Sequence, residues 1–362
     1  MNILALNPGS TSTRLALFEF ELLKWESTIS HHSENFKSFK SVIEEKNIRK
    51  EKIMTELHFR KVEIGKLDAI VARGGLLAPL ESGVYTINNA MLKDLKANTY
   101  GEHASNLGAL LAQEIAGLAG IPAFIVDPPV VDEMDEIARL SGLPEIKRKS
   151  IFHTLNHKAI ARTIAAKLGL QYRDAHFIVV HMGGGISVGA HKKGRVIDVN
   201  NALEGEGPMS PERTGNLPAG DVIRLLLSGR YTCEELIKCV TRCGGMYAYL
   251  GTADFYEVIK RKEKGDKKAD LIIKTMAYQV AKEIGAMATV LKGRIHAIIL
   301  TGGLSQSKQF TDLIKKRISF LGKVIVMKST CEMTALANGA LRVLKGEEKA
   351  LEYIPGGCCT TP

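Results

Sequence analysis

Phe177-Ile178-Val179-Val180-His181-Met182-Gly183-Gly184-Gly185-Ile186-Ser187-Val188-Gly189-Ala190 is the stretch whose reading decides the fold, because it has a counterpart near the start of the chain. That counterpart is Ile3-Leu4-Ala5-Leu6-Asn7-Pro8-Gly9-Ser10-Thr11-Ser12-Thr13-Arg14-Leu15-Ala16-Leu17-Phe18. In each, an apolar run of strand length stops at a turn of glycine, small hydroxyl residues and one polar side chain, then resumes as an alternating strand. Glycines in such turns let the backbone approach a ligand closely and leave N–H groups to donate to phosphate oxygens. Ser10, Thr11, Ser12 and Thr13 add hydroxyl donors and Arg14 a fixed positive charge, which suits a polyphosphate guest. Taken singly, either stretch reads equally well as an ordinary hairpin with a polar turn. A third stretch favours the ligand, because His296-Ala297-Ile298-Ile299-Leu300 runs into Thr301-Gly302-Gly303-Leu304-Ser305-Gln306-Ser307 and then a helical pattern.

The order of elements around the two hairpins repeats. Residues 2–30 read as a three-stranded meander, followed by a lysine-rich helical stretch over 36–60. A buried-type strand over 67–72 ends in Arg73-Gly74-Gly75, and another over 122–126 ends in Asp127-Pro128-Pro129, with helical periodicity over 103–119 between them. Charges at those strand ends lie at the carboxyl edge of a sheet, where α/β folds place ligands. A second unit begins near Ile151, with a helix over 153–168, the glycine hairpin and a third strand over 195–199. Helices then start at Asp221, Thr232, Asp254 and Asp266. A last helix over 334–344 lies close enough to the C-terminus to pack back on the first unit. At 362 residues the chain fits two domains. The expected division is an N-terminal lobe of residues 1–131 plus 335–362 and a C-terminal nucleotide-binding lobe of residues 132–334.

Composition narrows the class. With 45% hydrophobic and 24% charged residues the chain reads as a globular protein. Its formal charge of +10 comes from basic residues scattered among acids, as in Arg49-Lys50-Glu51-Lys52 and Arg261-Lys262-Glu263-Lys264, the pattern of solvated helix faces. There is one Trp and no basic–aromatic interleaving, which argues against a nucleic-acid partner and leaves the surplus charge as attraction for small anions. No apolar run approaches the roughly 20 residues needed to span a bilayer. The apolar start is broken at Asn7 and lacks a basic flank, so the expected location is the cytoplasm, with no membrane partner. Cys233, Cys239, Cys243, Cys331, Cys358 and Cys359 form no C-x-x-C pair, which favours reduced thiols over disulfides or thiolate zinc.

No G-x-x-x-x-G-K-[ST] occurs, and no G-x-G-x-x-G follows a strand, so hairpins must hold the phosphate. A duplicated three-strand hairpin unit with a separate glycine turn resembles the superfamily of acetate and sugar kinases, heat-shock ATPases and actin. Asn7-Pro8-Gly9-Ser10-Thr11-Ser12-Thr13, His153-Thr154-Leu155-Asn156-His157, His181-Met182-Gly183-Gly184-Gly185-Ile186-Ser187, Glu204-Gly205-Glu206-Gly207-Pro208-Met209-Ser210-Pro211-Glu212-Arg213 and Thr301-Gly302-Gly303 resemble, in order, the butyrate kinase branch of the acetate kinase family. The resemblance implies an α/β protein of two duplicated ribonuclease H-like, actin-like ATPase domains with a cleft between them. It implies reversible in-line transfer of the ATP γ-phosphoryl to butyrate, giving butyryl phosphate and ADP, with Mg²⁺ as cofactor. Isobutyrate or another short-chain acid is the alternative acceptor. A homo-oligomer is also implied. Two other readings stay open: a sugar kinase, in which Asp127 would act as base, and a non-catalytic nucleotide-dependent binding protein like the actin relatives.

A carboxylate acceptor is already ionised at neutral pH, so such a site needs positive charge rather than a general base. Arg73 and Arg213 are the candidates, because a planar guanidinium grips a carboxylate or phosphoryl group with two donors; structural ion pairs are the other use for them. The resemblance implies those same roles for both arginines. It makes His153 and His181 donors to the transferring group and places His103 near the substrate. It assigns Asn7, Ser10, Thr11, Ser12, Thr13, Arg14, Gly183, Gly184, Gly185, Asp254, Gly302 and Gly303 to the nucleotide. Asp127, Glu332 and Asn7 are implied to face magnesium, with Asp127 also catalytic. Asp254 and Glu332 read equally as acids at helix N-termini. His153 and His157, four apart, have the spacing of a zinc pair, but Thr154 stands where H-E-x-x-H needs glutamate. The acyl pocket is expected at Gly75, Phe152 and Ala202. Glycine and alanine there, where acetate kinases carry bulkier residues, would admit a longer acid, each added CH₂ being worth about 0.8 kcal/mol.

Overall fold

The structure, a computed structural model, describes residues 1–9, 11–31, 39, 41–328 and 332–356. It divides into two units, one of Met1–Asp132 with Cys331–Pro362 and one of Glu133–Thr330. The first opens with β1 (Asn2–Pro8), β2 (Ser12–Glu19), β3 (Leu22–Ser30) and α1 (Lys46–Phe59). It continues with β4 (Ala69–Arg73), β5 (Val84–Thr86), α2 (Asn89–Ala97), α3 (Asn106–Gly117) and β6 (Ala123–Val126). The second unit begins with α4 (Glu136–Arg139), α5 (Thr154–Lys167), β7 (His176–Met182), β8 (Ile186–Lys192) and β9 (Arg195–Val199). Helices α6 (Ala219–Leu227), α7 (Cys233–Thr241), α8 (Gly245–Leu250), α9 (Phe255–Glu263) and α10 (Lys267–Val290) follow, then β10 (Ala297–Thr301), α11 (Lys308–Ile318) and β11 (Val324–Val326). Helix α12 (Glu332–Leu344) and β12 (Leu351–Glu352) complete the first unit.

In the first unit seven strands lie in the order β12-β5-β6-β4-β1-β2-β3. β1 is apolar on both faces because both are covered. Leu4 and Leu6 join Ile70, Ala72 and Ile125 in a cluster with α1 and α3, while α12 packs on β1, β4 and β6. Gly339 lets α12 press against Val126, whose side chain a Cβ there would meet at 2.7 Å. In the second unit the order is β11-β10-β7-β8-β9, and α10 runs against the sheet with ten buried residues from Ala269 to Ala288. Asp266 starts that helix by accepting from the Lys268 and Ala269 amides, both at 3.0 Å, a cap worth about 1 kcal/mol.

The two sheets repeat one strand pattern. β4 runs parallel beside β1, which continues antiparallel into β2 and β3; β10 runs parallel beside β7, which continues into β8 and β9. This is the mixed α/β, duplicated architecture that the paired hairpins predict. Two sequence readings need correction. The helix expected over 36–60 is α1 from Lys46, preceded by a 3-10 turn over Val42–Glu45, and residues 32–38 and 40 lie outside the described residues. Arg49, grouped with solvated charges, is fully buried. Cys233, Cys239 and Cys243 carry free thiols, while Cys331, Cys358 and Cys359 lie outside the described residues. Among the described residues no helix is long and apolar enough to cross a membrane.

Candidate functional site

In the first unit the β1–β2 turn closes with the Gly9 amide donating to the Ser12 carbonyl at 2.7 Å. Ser10 lies outside the described residues. Strand alternation then sorts the turn's side chains onto two faces. Asn7 pairs in register with Arg14, and both reach one carboxylate oxygen: Asn7 Nδ2 donates to Glu332 Oε2 at 2.8 Å, and the Arg14 guanidinium pairs with that same oxygen. Thr13 points the other way. Its buried hydroxyl lies 2.8 Å from His31 Nε2 and accepts from Arg49 Nη1 at 3.2 Å, while the exposed Thr11 gives its carbonyl to the His31 amide.

Arg49 is the residue that sequence reasoning missed. Its Nε and Nη2 donate to Glu45 Oε2 at 2.8 and 2.6 Å, and its Nη1 donates to the Gly9 carbonyl at 2.9 Å. A buried ion pair thus braces the turn from inside the unit. The signal was the Glu45–Arg49 spacing of one helical turn, which a lysine-rich context makes look like surface. His31, buried beside it, has its pKa lowered to about 4, first by burial and then by the charges of Arg49 and Lys52.

The ends of β4 and β6 carry the other two polar groups. Arg73 is half-buried at the last position of β4, and its guanidinium has no hydrogen-bond or ion-pair partner among the described residues. Asp127 directly follows β6 with φ +39°, a left-handed conformation that aspartate and asparagine tolerate better than other residues with a side chain. Its buried Oδ1 accepts from Ser82 Oγ at 2.6 Å and from the Gly83 amide at 3.0 Å. His103 precedes α3 and accepts at Nδ1 from the Ser105 amide, 3.2 Å away. The pocket reading of Gly75 is corrected: a Cβ there would meet Asn106 Oδ1 at 2.5 Å and Leu95 Cδ2 at 2.8 Å. That glycine admits α3 and α2 against the strand end, so its missing side chain frees no volume for an acyl chain.

In the second unit the β7–β8 turn is folded on itself, Gly183 N donating to the Gly185 carbonyl at 3.0 Å. The Gly184 carbonyl accepts from Ser210 Oγ at 2.6 Å and from Glu212 N at 3.2 Å. A Cβ on Gly184 would lie 2.9 Å from Glu212 Oε2, and one on Gly185 only 1.9 Å from Arg213 Nη1. The absence of side chains at these two positions is therefore used by the chain's own 210–213 loop. Arg213 lies across Gly185 and donates from Nη1 to the Ala202 carbonyl at 2.5 Å and from Nε to Thr241 O at 3.4 Å. Phe152 packs with Met134, Val196 and Val199 and meets His157 edge-on at 5.1 Å.

His153 sits at the start of α5 and stacks on His181 with ring centroids 4.0 Å apart and planes 16° from parallel. His181 ends β7 in register with Ser187 on β8 and Thr301 on β10. The Ser187 hydroxyl lies 2.9 Å from both His153 Nδ1 and His157 Nε2, so a serine joins the pair whose spacing resembled a zinc site. Three buried polar groups around these rings, Thr154 Oγ1, Thr301 Oγ1 and the Asn156 amide, have no partner among the described residues. Asp254 caps α9 by accepting from the Tyr256 and Glu257 amides at 2.9 and 3.1 Å. Tyr256, which sequence reasoning passed over, donates its hydroxyl to the Gly303 carbonyl at 3.0 Å. Gly302, at φ +89°, lies so flat on β7 that a Cβ would meet Met182 O at 2.5 Å, whereas Gly303 faces open space.

Magnesium asks for hard oxygen donors, commonly one or two carboxylates with phosphate and water completing the shell. Asp127 and Glu332, both buried in the first unit, meet that requirement, with the Asn7 amide holding Glu332. Among the described residues no group of three or more His, Cys, Asp or Glu converges.

The acetokinase family model matches residues 144–341, a span that includes His153, His181, Gly183, Gly184, Gly185, Arg213, Asp254, Gly302, Gly303 and Glu332. In structure the chain is similar to the acetate kinase of Porphyromonas gingivalis, with a TM-score of 0.77 at 20% identity over 95% of this chain and 99% of that one. It is similar to a propionate kinase of Francisella tularensis subsp. tularensis SCHU S4, with a TM-score of 0.76 at 20% identity over 93% and 98%. A third likeness is to the acetate kinase of Entamoeba histolytica, at 0.69 and 16% over 89% and 87%.

Proposed function

Because the chain belongs to the acetokinase family of ATP- and magnesium-dependent carboxylate kinases, we propose that it phosphorylates a short-chain fatty acid, with the four-carbon acid preferred over acetate and propionate. One observation carries this reading: Arg213 and the His153–His181 stack meet the same glycine turn, Gly183–Gly185, the guanidinium lying across Gly185 and held by the Ala202 carbonyl, the stacked rings held through His153 to Ser187. Preorganised donors of this kind stabilise charge on a moving phosphoryl group without reorganising during transfer. No base is required of the protein, since the acceptor carboxylate arrives ionised.

Arg73, partnerless among the described residues, is suited to draw the acid's carboxylate by a two-pronged contact. Asp127 and Glu332 would hold Mg²⁺, which neutralises phosphate charge when bound. Asn7 and Arg14 fix the Glu332 carboxylate, and the Ser82 and Gly83 donors fix that of Asp127. Tyr256 ties α9 to the Gly302–Gly303 turn and so sets the height of the platform we assign to the adenosine. With Gly75 turned into its own unit's packing, a longer acyl chain is supported by Ala202, whose amide donates to the carbonyl of Ile151 next to Phe152, and by the sequence resemblance.

The test is ADP formation from Mg-ATP against acetate through hexanoate, isobutyrate and one sugar, with acyl phosphate trapped as its hydroxamate. A maximum at four carbons supports the reading, with other acids down by about 10–200-fold per methylene. A maximum at acetate or propionate removes the chain-length preference and keeps the carboxylate kinase. Hydrolysis unaffected by any acid favours the nucleotide-dependent binding protein. We also assign a second copy of the chain as partner. Ile223, Leu226 and Leu227 on α6 and Ile237 on α7 leave an apolar surface exposed within the second unit, and light scattering at assay concentration reads the mass directly.

A further inference from the structure

A line of hydrogen bonds leaves His153 at Nδ1 and runs through the interior of the second unit. His153 Nδ1 lies 2.9 Å from Ser187 Oγ, and the same hydroxyl lies 2.9 Å from His157 Nε2. His157 Nδ1 lies 3.2 Å from His191 Nε2, and His191 Nδ1 lies 2.8 Å from the Tyr172 hydroxyl. Two periodicities build it. His153, the residue before α5, is one turn from His157, whose amide donates to its carbonyl at 3.0 Å, while Ser187 and His191 are four apart on β8 and so share its face. Gly189, between them, leaves room for the His157 ring, which a Cβ would meet at 3.2 Å. Ser187, His157 and His191 are fully buried, and His157 and His191 stack with centroids 5.5 Å apart. Burial holds both of those rings far below the ordinary histidine range, so each is neutral and carries one N–H and one lone pair.

Two arrangements satisfy every group of this chain: a ring with one N–H donates at one nitrogen and accepts at the other, and although the Ser187 oxygen could accept from both rings, its own buried proton would then have no acceptor among the described residues. Either every proton points toward His153 or every proton points toward Tyr172. The outer end decides. A phenol is a stronger hydrogen-bond donor, and a weaker acceptor, than a neutral imidazole. Lys158 Nζ and the Arg162 guanidinium each lie 5.8 Å from the Tyr172 ring centroid and draw electron density from it, which strengthens the donor further. We infer that Tyr172 and His191 are positioning residues: Tyr172 donates to His191, His191 to His157, His157 to Ser187 and Ser187 to His153 Nδ1, fixing His153 with its proton on Nε2. Resting on the carboxylate-kinase reading, this presents the transferring phosphoryl with an N–H donor from His153 rather than a lone pair, which would repel it.

Long-range proton–nitrogen correlation spectra of ¹⁵N-histidine-labelled protein test the assignment, since the two ring nitrogens have distinct shifts according to which is protonated. The His153 signals are identified by their loss in His153→Asn. The expected wild-type pattern is a protonated Nε2 on His153, and Tyr172→Phe, which removes the terminal donor, is expected to convert His153 to a mixture of tautomers. The same variant should lose about tenfold in kcat, the scale of one hydrogen bond, with KM for ATP and acid unchanged. His191→Gln, which can still accept and donate, should restore more of the activity than His191→Leu. A wild-type His153 protonated on Nδ1, or a His153 pattern unmoved by Tyr172→Phe, overturns the inference. The spectra need no turnover, so the relay stands or falls separately from the proposed reaction: a protein with the expected tautomers and no carboxylate kinase activity would overturn only the latter.

Discussion

Gly185→Ala is the sharpest perturbation the site offers. The residue does not occupy a positive-φ conformation, so alanine suits its backbone and the effect is confined to one added methyl group. That methyl would stand 1.9 Å from Arg213 Nη1, 2.8 Å from its Cζ and 3.0 Å from the Ala202 carbonyl. Restoring ordinary contact requires the guanidinium to move by about 1.5 Å, which breaks its 2.5 Å bond to Ala202. A hydrogen bond from a charged group is worth about 1.5–3 kcal/mol. Any step that needs Arg213 in place should therefore slow by about 10- to 150-fold. Hydroxamate-trapped kinetics read the loss in kcat/KM, and a double-variant cycle with Arg213→Ala assigns it. If the methyl acts through the guanidinium, adding Gly185→Ala to Arg213→Ala costs nothing more. A wild-type rate in the single variant, or an equal further loss without the arginine, would refute the argument that Gly185 exists to seat Arg213.

Three further outcomes follow from the first unit. His31 binds a proton near pH 6.5 when unfolded but only near pH 4 when folded, so its contribution is complete above pH 6.5 and is lost as pH falls toward 4; in denaturant unfolding His31→Gln should lose about 1–1.5 kcal/mol less stability than the unaltered protein between pH 7.5 and 5.5, the remaining loss belonging to the buried His157 and His191. Arg49→Met strands the Glu45 carboxylate and the Gly9 carbonyl and should cost about 3–5 kcal/mol in urea unfolding. Glu45→Met in the same chain should recover part of that loss, and failure to recover any would show that the pair itself is not what the fold needs. Asp127→Asn keeps the Oδ1 acceptor for Ser82 and Gly83 and a residue tolerant of φ +39°, so the protein should fold while its Mg²⁺ half-saturation rises; an unchanged Mg²⁺ titration would remove Asp127 from the metal's surroundings.

Strand-length apolar runs interrupted by glycine were enough to read the duplicated core, because β1 and β7 are buried on both faces and such strands leave an unbroken hydrophobic record. The long helix α10 was equally plain, its start fixed by Asp266 and its core face by regular spacing. Short elements were not. β5 has three residues and β12 two, and both are held by pairing with neighbours distant in sequence rather than by any local pattern. Arg49 escaped for a related reason: what buries it is Gly9 and Thr13, which only the fold brings to α1.

The glycines show most clearly where a sequence stops speaking. A glycine announces that a Cβ is absent but not what fills the space in its direction, and the reading that each one opens room for a ligand treats all of them alike. At Gly303 the space is open, as that reading supposes. At Gly75 it is taken by Asn106 and Leu95, at Gly302 by the backbone of Met182, and at Gly185 by Arg213. These three let a helix, a strand end and a guanidinium approach closely. The distinction has a consequence for engineering acid preference. Volume added at Gly75 strikes the first unit's own core and should cost stability before it narrows any pocket, whereas volume added at Ala202 grows from the residue whose carbonyl holds Arg213. Ala202→Val should therefore change the ratio of butyrate to acetate turnover, whereas Gly75→Ala should lower the melting temperature and leave that ratio unchanged; equal effects of the two on that ratio would show that the pocket lies elsewhere.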